Sequence, residues 1–342
     1  MTEVSSKYLT ENKDILDFVM NASSETGKKL MGTWIENLRT NREIFKESNG
    51  WATEALQGKE RGRAAIICGS SPALAKQMDT LKGIQHDNDF VICGLTSNLE
   101  YLLKNGIYPK YTVTMDGHPS QGEFFDTIDM SKTENISLIA NCYSYPPMLK
   151  KWKGMLYFLA LGTGDKHFDR KHRKWFGQLN GVGIPFPSIF ASFNVMAAIA
   201  YLILECPILI FVGNELSFQE EKSTYYVDRE DPRDKDIRFA HGDIYGNKVW
   251  TTSSLLAVKY ALEGFLEFLS KAGWFFNCTE AGIFGITKKF PDLHVPWIQQ
   301  LTLKNGIAQA RHIMRTGEPF YEYKKGSSIE IPNMFTRVNF MG

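Results

Sequence analysis

Residues 64–119 restrict the fold more than any other part of the sequence, because three short apolar runs there alternate with helix-like stretches. The runs cover residues 64–68, 90–93 and 111–115, and four more follow at residues 136–140, 155–159, 208–212 and 274–277. Strands that alternate with helices need crossover connections, which produce a largely parallel sheet. We therefore predict an α/β fold with helices on both faces of a largely parallel sheet.

The first three runs end in small or polar residues, which is where ligands bind in open α/β sheets. Gly69, Ser70 and Ser71 follow the first run, Gly94 closes the second, and Asp116 follows the third. Small residues before a helix leave backbone N–H groups for an anion at the helix N-terminus. Such a turn also occurs in purely structural connections. Three polar strand ends in succession favour one crevice for an anionic ligand.

Composition excludes several classes of protein. The 342 residues carry a formal net charge of +1, so no overall field attracts nucleic acid or an anionic membrane. The five cysteines lack the spacing of a disulfide framework or a zinc site, which favours a reduced, cytosolic compartment. The longest apolar region, residues 186–212, is broken by Asn194, Glu205 and Pro207. It predicts a buried helix ending near Glu205 and a strand, with no membrane span.

The chain divides into three parts on this pattern. Residues 1–60 are polar and helix-like, residues 61–285 form the α/β core, and residues 286–342 contain a helix at about 297–315 followed by an extended strap. Within the core, residues 252–271 have apolar side chains at helical spacing, which predicts a helix on one face of the sheet. The charged segment 217–248 is either a solvated, mobile loop or a lid over a site.

Five motifs follow one another along the core. They are G-S-S-P-A-L at residues 69–74, the segment 102–116, V-G-N-E-L-S-F at residues 212–218, D-I-Y-G-N with two threonines at residues 243–252, and N-C-T-E-A-G at residues 277–282. In this order they resemble the MptE-like (6-hydroxymethylpterin diphosphokinase-like) proteins and the motility-associated factor (Maf) glycosyltransferases. The resemblance implies a Rossmann-like core that binds a nucleotide.

The same architecture is similar to bacterial sialyltransferases that use CMP-activated sugars. That resemblance implies that His241 is the general base and that Tyr225 and Tyr226 stabilise the leaving phosphate. Asp116 follows the MptE-like and Maf pattern rather than the Asn of the sialyltransferases, and we expect it to be a further catalytic residue that accepts a ribose hydroxyl or holds a divalent ion. His118, beside Asp116, is a competing candidate for the base. The residues expected to line the donor site are Gly69, Ser70, Ser71, Thr96, Asn98, Asp116, Asn214, Glu215, Thr279 and Glu280.

Three functions remain open on the sequence. The first is a glycosyltransferase that moves a sugar from a CMP- or UDP-linked donor to a hydroxyl acceptor. The second is an ATP- and Mg-dependent diphosphokinase acting on a pterin-like alcohol, with Asp116 and Glu215 as the metal pair. No Walker sequence is present to support a standard phosphate-binding loop. The third is a protein that binds a nucleotide without catalysis.

A basic cluster runs from Lys166 to Lys174 with aromatic residues between the cations. Charge runs of this kind usually form a solvated helix surface. The alternative is an acceptor surface for a glycan, a protein or modified nucleic acid, because interleaved cations and aromatic rings are typical of polyanion binding.

Overall fold

The computed structural model of the chain describes residues 12–161, 166–176, 191–221, 223–228, 237–286 and 295–318. Within them lie an eight-stranded sheet and a two-stranded hairpin. The strands are β1 (Ala64–Cys68), β2 (Phe90–Leu95), β3 (Tyr111–Thr114), β4 (Ser137–Asn141), β5 (Leu156–Leu159), β6 (Ile208–Val212), β7 (Phe239–Gly242), β8 (Lys248–Thr251), β9 (Trp274–Asn277) and β10 (Gln299–Gln300).

Ten α-helices accompany the strands in the described residues. They are α1 (Lys13–Glu47), α2 (Ala52–Ala55), α3 (Met78–Ile84), α4 (Thr96–Lys104), α5 (Gln121–Asp126), α6 (Pro146–Lys151), α7 (Lys166–Phe176), α8 (Ser192–Ala198), α9 (Ser253–Leu269) and α10 (Leu303–Thr316). Two short 3₁₀ helices cover Pro72–Gln77 and Met130–Thr133, and a π-helical turn, Ile199–Ile203, extends α8.

The eight strands are arranged in the order β10-β9-β6-β1-β2-β3-β4-β5, and every pair is parallel. The chain builds the sheet outward from β1 to β5 and then returns to place β6 on the other side of β1, with Ala64 opposite both Phe90 and Ile208. Successive strands are therefore added on one side of β1 up to β5 and on its other side from β6 onward, so the strand order reverses between β1 and β6. The predicted α/β, Rossmann-like fold is confirmed.

The central strands are apolar throughout because helices cover both faces of the sheet. All five residues of β1 are buried. Ile67 belongs to a core that includes residues of α8 and α9, whereas Ile66 belongs to a core with α3 and α10. A third core lies under α1, α5, α6 and α7 on the β4 side of the sheet.

Most predicted elements form where the pattern placed them. Strands β1, β6 and β9 have the predicted bounds, and the helix predicted at 252–271 is α9, whose N-cap Thr252 accepts a hydrogen bond from the Leu255 N–H at 3.2 Å. The predicted buried helix is α8 with its π turn, and it ends before Glu205, whose φ is 62°. In the described residues, no helix is both long and apolar enough to cross a membrane.

Two segments differ from the prediction. Segment 217–248 contains β7, and β8 begins at its end, so part of it forms an antiparallel hairpin; residues 222 and 229–236 lie outside the described residues. The C-terminal helix begins at Leu303 rather than near residue 297, because Gln299–Gln300 pairs with β9 and Thr302 caps the helix. The strap predicted after residue 318 lies outside the described residues, and the domain boundaries stay predictions.

All five cysteines are buried free thiols, so the prediction of no disulfide framework agrees with the structure. Burial raises the pKa of the Cys68 and Cys206 thiols to about 12. The thiolate is the reactive form of cysteine, so these side chains act as small apolar core residues.

A buried ion pair in α9 connects the helix to the loop after β9. The Lys259 ammonium lies 2.8 Å from Glu263, and both side chains are at most 1% exposed. The other Glu263 carboxylate oxygen accepts a hydrogen bond from the Gly285 N–H at 2.7 Å. Loss of one partner would leave a buried charge without compensation.

We expect Lys259→Met to lower the free energy of unfolding by about 3–5 kcal/mol, because Glu263 would keep a buried charge without its partner. The double variant Lys259→Met/Glu263→Gln should lose less free energy of unfolding, because the neutral amide oxygen still accepts from Gly285. Urea denaturation of the two variants measures these losses. A double variant less stable than the single one would contradict this account of the pair.

His172 lies on the inner side of α7 and is fully buried. Burial lowers its pKa to about 4 from the ordinary value of 6.5. Between these two pH values the unfolded chain binds a proton that the folded chain does not, so acid favours unfolding.

The free energy of unfolding should therefore fall less steeply between pH 6.5 and 4 when His172 is replaced by Gln. The slope should decrease by up to about 1.4 kcal/mol per pH unit. Urea denaturation across this pH range measures the slope. His86→Gln, at an exposed position, is the matched control and should leave the slope unchanged. Equal slopes for the two variants would show that His172 does not contribute to the pH dependence of the free energy of unfolding.

Candidate functional site

The expected ligand crevice lies at the carboxyl ends of β1, β2, β3 and β6, where the winding reverses. Open α/β sheets bind ligands at this position, because neighbouring loops diverge there. At its centre the turns after β1 and β6 meet so closely that a Cβ on Gly69 would lie 2.2 Å from the Gly213 carbonyl oxygen. Glycine at position 69 is thus required by the approach of two backbones.

Backbone N–H groups at the start of the helical turn after β1 already donate hydrogen bonds to other groups of the protein. The Ser71 N–H donates to the Gly213 carbonyl at 3.0 Å, and the Ala73 N–H donates to the Glu215 carboxylate at 2.6 Å. The second carboxylate oxygen accepts from the Gln219 amide at 2.9 Å, and Glu215 is 1% exposed. The structure thus differs from the expectation that these amides are free for an anion. The physical reason is that a carboxylate is itself favourable at a helix N-terminus.

The loops after β6 and β9 are joined by further residues of the expected donor site. The Thr279 hydroxyl accepts from the Asn214 N–H at 3.1 Å, and the Glu280 carboxylate accepts from the Leu303 N–H at 3.0 Å, at the first turn of α10. Asn214 is buried, and its side-chain N–H₂ group has no hydrogen-bond partner among the residues that the structure describes. A ligand role for Asn214, Thr279 and Glu280 stays a prediction.

Asn98 connects the ends of β1 and β2. Its side-chain N–H₂ group donates to the carbonyls of Cys68 and Gly69 at 2.7 and 2.8 Å, and its oxygen accepts from the Leu95 N–H at 3.0 Å. The side chain is fully buried, and these bonds use most of its capacity. Asn98 therefore positions the strand ends, and its predicted ligand contact is untested.

Thr96 and Ser70 lie on either side of this connection. Thr96 is the first residue of α4 and is buried. The Ser70 hydroxyl lies 2.7 Å from the hydroxyl of Ser97, the residue after Thr96. The turns after β1 and β2 thus contact each other directly, as one crevice requires.

Asp116 lies at the carboxyl end of β3 and is partly exposed. One carboxylate oxygen accepts from the His118 N–H at 2.8 Å, and the other accepts from the Gln121 side chain at 3.2 Å. A carboxylate offers about four acceptor sites, so Asp116 can still bind a hydroxyl group. The His118 side chain is exposed and hydrogen-bonds only locally among the described residues, to Ser120.

Helix α1 braces the loop that begins at Asp116. The Asn37 side chain donates to the carbonyls of Gly117 and Tyr143 at 2.8 and 3.0 Å. The Trp34 ring stacks on Tyr143 with 5.0 Å between centroids, and a Cβ on Gly117 would lie 2.7 Å from Trp34. The N-terminal helix thereby fixes the position of a candidate catalytic residue.

The tyrosine pair lies between the first turn and the Asp116 loop. The Val227 N–H donates to the Ser70 carbonyl at 2.9 Å, which anchors the segment to the turn after β1. The ring of Tyr226 meets Phe124 of α5 edge to face, with 6.1 Å between centroids. The structure therefore brings Tyr226 to the side of the crevice that Asp116 occupies.

His241 lies on β7, and its hairpin covers the ends of β6 and β9. The hairpin is attached there by Thr251, which donates to the Leu216 carbonyl at 2.9 Å, and by the Ile244 N–H, which donates to the Gly282 carbonyl at 2.9 Å. The Nδ1 atom of His241 lies 2.6 Å from the Gly242 carbonyl oxygen. This bond places the proton of a neutral imidazole on Nδ1, so Nε2 carries the basic lone pair.

Phe218 links the hairpin to the tyrosine pair. It pairs with Trp250 through two backbone hydrogen bonds, and its ring contacts Tyr225 at 5.7 Å between centroids and the Arg238 guanidinium at 3.7 Å. Among the described contacts, none joins His241 directly to Asp116. Sequence reasoning did not include Phe218 or Arg238 in the site, although Phe218 ends one of the motifs quoted above.

A cavity of about 190 Å³ lies beside the Asp116 loop, between α5 and α6, with Pro119, Gly122, Tyr145 and Lys151 among its lining residues. Pockets for drug-sized ligands are typically about 300–1,000 Å³, so this cavity is too small for a nucleotide. Among the residues that the structure describes, no three His, Cys, Asp or Glu side chains are placed to hold a metal ion.

Comparison with known proteins assigns the family. The model of the family described as 6-hydroxymethylpterin diphosphokinase MptE-like matches residues 33–221, more than half of the chain. The chain belongs to the MptE-like family. A search of curated proteins gave no match for this MptE-like chain.

A solved structure has the same fold as this MptE-like protein. The structure of the MAf glycosyltransferase from Magnetospirillum magneticum AMB-1 matches it with a TM-score of 0.50 and 16% sequence identity. The match covers 82% of this chain and 42% of that chain, so the MptE-like protein spans less than half of the larger enzyme's length. At this identity the similarity shows the fold.

We expect Glu215→Ala in this MptE-like protein to lower the free energy of unfolding by about 2–3 kcal/mol, because the buried Ala73 N–H loses a charged acceptor. Glu215→Gln should cost less than half as much, because its amide oxygen can still accept from Ala73. Urea denaturation of the two variants measures the difference. Equal losses would show that this hydrogen bond is not what stabilises the turn.

Proposed function

We propose that this protein is a glycosyltransferase that moves a sugar from a CMP- or UDP-linked donor to a hydroxyl group of an acceptor. The observation that carries the proposal is the position of Tyr225 and Tyr226, between the Ser70 turn and the helix that follows Asp116. Membership of the MptE-like family and the fold shared with a Maf glycosyltransferase are consistent with it.

In glycosyl transfer the acceptor oxygen forms a bond to the anomeric carbon while the bond from that carbon to the donor phosphate breaks. The departing phosphate takes the electron pair, and the acceptor loses its proton. Groups that donate hydrogen bonds to the leaving phosphate lower the barrier. Because Glu215 occupies the helix end after β1, the phenol groups of Tyr225 and Tyr226 are the donors that we assign to this phosphate.

We propose that Nε2 of His241 takes the proton from the hydroxyl group of the acceptor. The Nδ1 hydrogen bond to the Gly242 carbonyl leaves the basic lone pair on Nε2, and imidazole titrates near neutral pH. Asp116 would accept a ribose hydroxyl of the donor, since its carboxylate is partly exposed at the end of β3. These roles divide the chemistry among three loops that are in contact.

The diphosphokinase alternative is supported by the description of the family. It needs carboxylates that hold magnesium on the bridging phosphate oxygens. Glu215, the expected partner of Asp116 in that pair, is buried and binds Ala73 and Gln219 with both oxygens. This observation favours sugar transfer over the transfer of diphosphate.

The first test is the thermal stability of the protein with CMP, UDP, GDP or ATP, with and without magnesium. A nucleotide at a hundred times its Kd should add about 2.7 kcal/mol, or about 5 °C in Tm. We expect CMP or UDP to stabilise the protein without metal. Stabilisation by ATP with magnesium alone would indicate the diphosphokinase, and no shift with any nucleotide would contradict a nucleotide-dependent function.

The second step uses His241→Ala with the nucleotide found above. Turnover should fall by a factor of about 10² to 10⁴, as is typical for removal of a general base, while the nucleotide-induced rise in Tm is kept. His86→Ala, at an exposed position, is the control. Loss of activity in His118→Ala with normal activity in His241→Ala would reassign the base to His118.

A further inference from the structure

Helix α7 separates its aromatic residues from its cations. Phe168 and His172, four residues apart, are fully buried, whereas Arg170, Arg173 and Lys174 are exposed. Spacings of three and four residues place side chains on one face of a helix, so the cations share the outer face. The sequence cluster is therefore a basic outer face on an anchored helix.

Helix α7 carries an excess of positive charge. Residues 166–176 contain five Lys or Arg and one Asp, whereas the whole chain has a net charge of +1. Within the described residues, Arg170, Lys171, Arg173 and Lys174 have no ion-pair or hydrogen-bond partner. Unpaired cations on one surface attract an anion.

Other exposed cations in the same structure do have carboxylate partners. Lys151 lies 2.6 Å from Asp126, and Lys104 lies 2.5 Å from Glu100. Single cations without such a partner, such as Lys59, Lys153 and Lys271, occur elsewhere on the described surface, whereas α7 has four of them within five residues.

The basic face is close to the candidate catalytic loop. The Phe168 ring packs edge to face on Tyr143 at 5.4 Å and on Trp34 at 6.1 Å between centroids. Tyr143 and Trp34 are two of the residues that contact Gly117, directly after Asp116. A polymer bound along α7 would thus lie beside the site proposed for sugar transfer.

The burial of the aromatic residues argues against two classes of ligand. Single-stranded nucleic acid is usually bound by aromatic rings on which the bases stack, and Phe168 and His172 face the core instead. Among the described residues, none of the exposed large hydrophobic side chains lies on α7, so the face offers nothing to insert into a membrane. What remains is recognition by charge and hydrogen bonds.

We infer that α7 binds an anionic glycan through Arg170, Arg173 and Lys174, and that this glycan is the acceptor. Its carboxylate or phosphate groups would pair with the guanidinium and ammonium groups of the outer face. Only the acceptor role rests on the proposed function; the binding surface itself does not.

The test measures binding of fluorescently labelled polygalacturonate oligomers by anisotropy, with neutral dextran oligomers for comparison. The variant Arg170→Glu/Arg173→Glu/Lys174→Glu should bind the acidic glycan at least about tenfold more weakly, because three attractive charges become repulsive. Added salt should weaken binding to the unmodified protein in the same direction.

The matched control is Lys59→Glu/Lys153→Glu/Lys271→Glu, which makes the same change of charge at exposed positions before β1, β5 and β9, at the opposite edge of the sheet. It should bind the glycan within about twofold of the unmodified protein, since these residues precede their strands, whereas α7 packs on Tyr143, which follows β4. Equal weakening of both variants would show an effect of net charge alone and overturn the inference.

Three further probes test the class of ligand: single-stranded DNA, duplex DNA and vesicles that contain phosphatidylserine. Tighter α7-dependent binding of any of them than of polygalacturonate would overturn the glycan assignment. Retention of the nucleotide-induced rise in Tm shows that the α7 variant is folded. Glycan binding without any nucleotide effect would refute the proposed sugar transfer while leaving the surface in place.

Discussion

The contact between the turns after β1 and β6 is the constraint on which the site depends. Gly69 and Gly213 lie so close that no side chain fits between them, and Glu215 then places its carboxylate on the Ala73 N–H. This contact joins the two turns at the point where the strand order reverses. It also takes the place at the helix end that an anion would occupy, because the Ala73 N–H already donates to this carboxylate.

A second set of contacts holds those loops. Asn37 of α1 binds the backbone beside Asp116, the Val227 N–H binds the Ser70 carbonyl, and Phe218 joins the β7–β8 hairpin to Tyr225. The two hydrogen bonds join segments that are far apart in the sequence to strand ends. The loops that carry the candidate residues are therefore positioned by hydrogen bonds to the backbone and by ring contacts.

Much of the fold could be predicted because the strands are fully buried. A strand covered by helices on both faces must be apolar throughout, and this signal located β1, β6 and β9 with their observed bounds. The β7–β8 hairpin was not predicted, because β7 is only four residues long, is partly exposed, and shows no alternation of apolar and polar side chains. The short strand β10 was also missed, since two glutamines carry no strand signal.

The sequence by itself determined the parallel α/β fold, its order of motifs and its family, because these depend on local hydrophobic pattern and on residues adjacent in the chain. Only the tertiary structure decided which candidate side chains are used in holding the site together. Glu215 and Asn98 look like ligand-binding residues in the sequence, but Glu215 accepts from the Ala73 N–H in the helical turn after β1, and Asn98 donates to the Cys68 carbonyl at the end of β1. Hydrogen-bond partners more than a hundred residues apart, as for Glu215 and Ala73, are fixed only when the sheet has assembled.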